Sequence, residues 1–199
     1  MPYKIGYLIG SLATGSINRT LSEALIALAP DDLEFTEIPI GDLPLYSSDY
    51  DADYPPEGRA LKDAIKASDG LLIVSPEYNR SIPGALKNAI DWGSRPWGQN
   101  SFARKPTGII GASPGGIGTA VMQSSMRAVL SFLDAPQLNA PEAYITFKPD
   151  EFGPDGEVRN EITAGFLRHY MEEYFAFVQR VLDANGAGHI GDEDAETAH

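Results

Sequence analysis

Three short stretches hold most of the polar and Gly-rich residues that could gather around a ligand: Gly10 to Arg19 (GSLATGSINR), Ser75 to Gly84 (SPEYNRSIPG) and Ser113 to Gly118 (SPGGIG). In the first, Ser11, Thr14, Ser16 and Asn18 are short donors and Arg19 adds a charge. A helix beginning there would expose unpaired amides beside its positive end, which suits a phosphate. The spacing Gly10-x4-Gly15-Ser16 misses a triphosphate loop by one residue, because Ser stands where Lys is required, and Gly-x-Gly-x-x-Gly is absent. A single phosphomonoester is the better match. An ordinary strand-to-helix turn capped by Ser or Asn uses the same residues, and the loop alone does not choose. In the second stretch Pro76, Glu77, Tyr78 and Asn79 could wall a flat ligand with main-chain groups, Tyr78 against the ring and Asn79 offering an amide; a surface turn shaped by Pro76 and Pro83 is the alternative. In the third, glycines at 115, 116 and 118 let the main chain approach a ligand, or simply form a turn.

Reactive side chains are scarce by comparison. Glu77 has no His or second carboxylate close in sequence, so it lacks the partner of an acid–base pair. His169, His189 and His199 all fall outside the three loops, which leaves a His-based triad or metal site without support. Ser113 sits in S-P-G-G rather than in a Gly-x-Ser-x-Gly elbow. The absence of Cys excludes disulfides, thiol nucleophiles and thiolate metal sites. A chain generous in binding groups and poor in reactive ones fits chemistry carried by a cofactor.

Composition narrows the classes further. A formal charge of −13 argues against a nucleic-acid partner. Five of those negative charges lie from Asp183 onward with no Lys or Arg, so residues 185–199 read as an acidic, disordered tail behind a single domain over residues 1–184. No apolar run reaches membrane-span length, and the first nine residues lack a signal-peptide pattern; a cytoplasmic protein without a membrane segment is expected.

The elements that must position the loops follow from periodicity. Lys4 to Ile9, Leu71 to Val74 and Thr107 to Ala112 are apolar runs suited to buried parallel strands; a less buried strand spans about Glu34 to Ile38, and a fifth lies between Gln137 and Thr146. Helical spacing follows each strand. One helix carries Ile17, Leu21, Ala24, Leu25 and Leu28; another covers Glu57 to Ser68; a third starts around Pro83 with Ser81 as its cap. A fourth, Thr119 to Leu133, aligns Val121, Ser125, Ala128, Val129 and Phe132, and the last, Asn160 to Leu182, closes at Asn185 and Gly186. The alternation predicts a doubly wound five-stranded parallel α/β sheet with helices on both faces. All three loops then fall at the carboxyl ends of strands, where ligands bind in such sheets. The long Pro- and Tyr-rich connection from Pro39 to Pro56 reads as functional or mobile.

At these residues the sequence resembles the NADPH-dependent FMN reductase family, within the flavodoxin-like fold, whose members include quinone, azo-dye and chromate reductases. The resemblance rests on Gly10-Ser11-Leu12, Gly15-Ser16-Ile17-Asn18-Arg19, Pro44-Leu45-Tyr46, Ser75 to Asn79 with Ser81 to Trp92, and the spacing to Ser113 and Gly115-Gly116. It implies that Ser11, Ser16, Asn18 and Arg19 hold the phosphate of FMN, with Ile17 among the cofactor-binding positions. Pro76, Glu77, Tyr78 and Asn79 would frame the isoalloxazine, and Ser113, Gly115 and Gly116 would close its far side. Ala13 stands where many relatives carry Arg, leaving Arg19 as the loop's cation. The implied reaction is ping-pong: hydride from NADPH or NADH to the flavin, then two electrons to a quinone or similar small acceptor, with no catalytic side chain and no metal. Arg80, Arg95 and Arg104 are candidates for the NADPH 2′-phosphate. A homodimer or homotetramer is implied as well, with Phe132, Leu133 and residues 45–54 as interface candidates. The alternative is a flavodoxin-like electron carrier docking to redox proteins, which the acidic charge would suit.

Overall fold

The run Leu71–Val74 is buried at every position because it lies in the middle of a sheet covered on both faces. The computed structural model describes residues 1–187. Its strands β1 (Tyr3–Ile9), β2 (Leu33–Glu37), β3 (Gly70–Val74), β4 (Thr107–Ser113) and β5 (Tyr144–Thr146) form one parallel sheet in the order 2-1-3-4-5. Side chains alternate across it. Leu72 and Val74 join the layer under α1 (Ile17–Ala27) and α5 (Glu161–Ala187), whereas Leu71 and Ile73 join that under α2 (Pro56–Ala67), α3 (Gly84–Ser94) and α4 (Ala120–Phe132). Gly108 lets α5 close on the sheet: a Cβ there would lie 2.9 Å from the Tyr174 ring, whose hydroxyl donates to the Leu71 carbonyl at 2.8 Å.

Several elements differ from the sequence reading. On α4 the buried face is Met122, Gln123, Met126 and Leu130, while Phe132 is 68% exposed. Both stripes have helical period, but the longer methionines and Leu130 bury more apolar surface. Gln123 enters the core because its amide donates to Thr119 Oγ1 and to the Ala143 carbonyl, at 3.0 and 2.7 Å. Pro83, not Ser81, takes the N-cap position of α3. Helix α5 continues through Asn185 and Gly186, where the Asn185 amide donates to the Arg104 carbonyl at 3.1 Å. The first three residues of the expected tail are therefore helical, and residues 188–199, including His189 and His199, lie outside the described residues.

The connection between β2 and α2 is pinned along α3. The Pro44 carbonyl accepts from Asn88 Nδ2 at 2.9 Å and from the buried Trp92 indole at 2.7 Å, and Tyr46, Tyr50 and Tyr54 pack around that indole. Beside it, Lys62 is only 6% exposed and donates to the carbonyls of Gly93, Arg95 and Gln99. Desolvation pushes its ammonium down to about 8, aided by Lys66, from an ordinary value of 10.5. The folded state thus sheds this proton first, so stability associated with Lys62 rises between about pH 8 and 10.5 and is lost as pH falls through 8. In urea titrations the wild-type protein should gain about 1–2 kcal/mol over Lys62→Met between pH 8 and pH 10, after allowance for solvent screening. A gap that does not change with pH would contradict this.

Candidate functional site

The carboxyl ends of β1, β3 and β4 deliver the three loops to one recess of about 250 Å³, with Ser11, Ser16, Ile17, Asn18, Pro76, Glu77, Tyr78 and Ser113 in its walls. The first two loops abut closely, since a Cβ on Gly10 would sit 2.1 Å from Ser75 Oγ. Only Gly is tolerated at that crossing.

Ser16 occupies the N-cap position of α1 in extended conformation, yet its hydroxyl caps nothing; it is buried and has no hydrogen-bond partner. Next to it the amides of Ile17 and Asn18 donate to no acceptor among the described residues, and the first turn carries no acidic side chain. Ser11 Oγ accepts weakly from the Ala13 amide at 3.4 Å, leaving its own proton free to donate. An orphaned hydroxyl beside unpaired amides at a helix start fits a phosphomonoester.

Two residues expected at the phosphate are engaged elsewhere. Asn18 is 1% exposed and its amide group bridges to β4, donating to the Ala112 carbonyl at 3.0 Å and accepting from the Ala112 amide at 2.8 Å. Its side chain fastens the sheet, and only its backbone amide is left free at the helix start. Arg19 forms a two-point pair with Glu37 at the end of β2, both contacts at 2.8 Å, and holds that carboxyl below the usual carboxylate range. With Ala13 uncharged, no side-chain cation among the described residues lines the recess.

In the second loop Tyr78 and Ser81 exchange backbone hydrogen bonds at 3.2 and 3.0 Å, closing a two-residue turn whose centre, Asn79 and Arg80, has φ of 52° and 61°. Ser81 is thereby used in the turn, and the exposed Asn79 stands outside the recess wall. Tyr78 remains 50% exposed at the rim. Glu77 has a role that sequence reasoning missed. Its side chain is 7% exposed; Oε2 accepts from the amides of Val121 and Met122 at 3.0 Å, and Oε1 from Arg80 at 3.1 Å. It replaces the N-cap that Thr119 does not supply to α4, from 44 residues away. No local pattern signals such a cap. In the third loop Ser113 Oγ accepts from the Gly115 amide at 3.2 Å; a Cβ on Gly115 would meet that oxygen at 3.6 Å, Gly116 borders open space, and both lie outside the recess wall. His169 is exposed on α5, and no cluster able to hold a metal occurs among the described residues.

A 2-1-3-4-5 parallel sheet with an unpaired helix start after β1 and a recess walled by the loops after β3 and β4 defines a flavodoxin-like protein. Residues 3–150 match the sequence profile of the NADPH-dependent FMN reductases. The chain is 49% identical over 179 residues to a 2-hydroxy-1,4-benzoquinone reductase from a Burkholderia species, covering 90% of this chain and 98% of that protein. It is 43% identical to a quinone reductase of Pseudomonas putida, over 89% of this chain and 95% of the other. Among solved structures it resembles FerB, a flavoenzyme NAD(P)H:(acceptor) oxidoreductase from Paracoccus denitrificans, with a TM-score of 0.87 and 42% identity over 89% of this chain and 98% of that one. The chain belongs to the NADPH-dependent FMN reductase family.

Proposed function

We propose that the protein is an FMN-containing reductase that draws two electrons from NADPH or NADH and delivers them to quinones or similar small acceptors. The observation that carries the reading is the buried, unpartnered Ser16 hydroxyl beside the free amides of Ile17 and Asn18, in a recess walled by the Pro76–Tyr78 segment. Bound there, FMN would supply the electron relay. Ser11, Ser16 and the first-turn amides of α1 would hold the phosphate. Pro76, Glu77 and Tyr78 would orient the ring system largely through main-chain groups, with Asn79 at the rim and Ser113, Gly115 and Gly116 limiting the opposite side. Neither wall covers the recess, so one side stays accessible to reductant and acceptor in turn. The names of the Burkholderia and Pseudomonas relatives support quinones as the acceptor class.

The same reading includes self-association in the cytoplasm. Phe132, 68% exposed, lines a groove between α3 and α4 of about 340 Å³, and the ring of Trp97, 76% exposed, lies 6.4 Å from its own. Large exposed aromatics of this kind favour a second copy of the chain as the covering surface. No helix among the described residues is long and apolar enough to cross a membrane. Purified protein loaded with FMN should, under anaerobic conditions, oxidise about one equivalent of NADPH or NADH alone and turn over continuously only when a quinone is supplied, and should sediment at twice or four times 21.5 kDa. Absence of turnover with either dinucleotide would overturn the enzyme assignment.

A further inference from the structure

The cleft edge is poor in cations although a pyridine dinucleotide arrives heavily charged at a protein of formal charge −13. Two of the three arginines that sequence alone left as phosphate partners are at the opposite edge. Arg95 ends α3, and Arg104 precedes β4, its amide bonded to the Asp134 carbonyl. Of the cations at the carboxyl edge, Arg19 is held at two points by Glu37 and Lys87 by both oxygens of Asp91, while Arg59, Lys148 and Arg159 are paired with Asp53, Glu151 and Glu157 on segments away from the recess wall.

Arg80 follows directly on the recess-wall segment Pro76–Tyr78, and three features suit it to a ligand. Its side chain is 63% exposed, and it gives a single hydrogen bond, from NH1 to Glu77 Oε1, so most of its five donors remain available. The carboxylate it touches is shared with the positive end of α4, because the other oxygen accepts from Val121 and Met122. Glu77 therefore steers the guanidinium without fully neutralising it. Finally, Arg80 occupies a left-handed position, φ 61°, that its side chain does not favour, in a turn closed on both sides by backbone bonds. The turn thus holds a fork of donors, only one of them engaged, just beyond the recess-wall segment Pro76–Tyr78, suited to a phosphate.

We propose that Arg80 is the binding residue for a phosphate of the pyridine dinucleotide, and so a determinant of reductant specificity. The inference rests on the reductase reading above. Two phosphates share this chemistry, the 2′-phosphate of NADPH and the pyrophosphate common to both dinucleotides. The test is initial-rate kinetics of FMN-loaded enzyme with saturating quinone, for Arg80→Asn, which suits a left-handed turn, and for Arg80→Lys, which keeps a point charge. Arg80→Asn should raise KM about tenfold or more with kcat within about twofold, the scale of one charged hydrogen-bonded contact, and Arg80→Lys should restore part of the loss. A rise for NADPH alone assigns the 2′-phosphate; an equal rise for both dinucleotides assigns the pyrophosphate. Direct titration with 2′,5′-ADP supplies a readout independent of turnover, and Arg104→Gln at the far edge should change nothing. Unchanged KM for both dinucleotides in Arg80→Asn overturns the assignment, as does a loss confined to kcat or FMN content. A wild-type protein that oxidises neither dinucleotide overturns the reductase reading instead.

Discussion

Asn18→Ala is expected to lower the unfolding free energy by about 2–5 kcal/mol, because it leaves two buried backbone groups without partners at about 1–3 kcal/mol each. The origin lies in how the sheet ends. On β4 the carbonyl of Ile110 faces β3 and accepts from the Ser75 amide, so the amide and carbonyl of Ala112, two residues on, face the same side. There β3 has already ended at Val74, so no strand partner reaches Ala112 on that side. The Asn18 side chain supplies one donor and one acceptor in place of the missing strand, at 3.0 and 2.8 Å. Loss of this clamp should also weaken FMN binding, since it registers the α1 start against the end of β4. Equilibrium denaturation of the FMN-free protein checks the first effect, and an unchanged midpoint with unchanged slope would refute it.

Asn18 also shows where reading from sequence stops. A short polar side chain at a helix start serves a phosphate and a strand end equally well, and the choice depends on a residue 94 positions away. Arg19 is a similar case: its charge suits a phosphate, but Glu37 arrives beside it only once β2 pairs with β1. Glu77 is the reverse. Its side chain seemed isolated because Val121 and Met122, whose amides it caps, come near only through the packing of α4. The strands, their order of appearance and the three loops were legible because continuous apolar runs and Gly-rich breaks are local signals. The α4 face was misassigned because two apolar stripes share one period, and only packing decides between them.

Ser16→Ala is expected to separate ligand binding from stability. The hydroxyl is buried in a residue 8% exposed and satisfies nothing in the protein itself, so its removal should leave the FMN-free protein as stable as before or up to about 1 kcal/mol more stable. If it donates to the phosphate, the same change should weaken FMN binding by about 1.5–3 kcal/mol, or roughly 10- to 100-fold, while riboflavin, which lacks the phosphate, binds as before. Arg19→Ala should alter FMN affinity by less than about threefold, because its guanidinium is already engaged at two points by Glu37. With no side-chain cation among the described residues of the recess, FMN affinity should fall only slightly with added salt, and Ala13→Arg should tighten binding and steepen that dependence. Fluorescence quenching titrations of both flavins at low and high salt decide the matter. Equal losses for FMN and riboflavin in Ser16→Ala would place the hydroxyl away from the phosphate, and a large loss in Arg19→Ala would show that the Glu37 pair opens to let the guanidinium reach it.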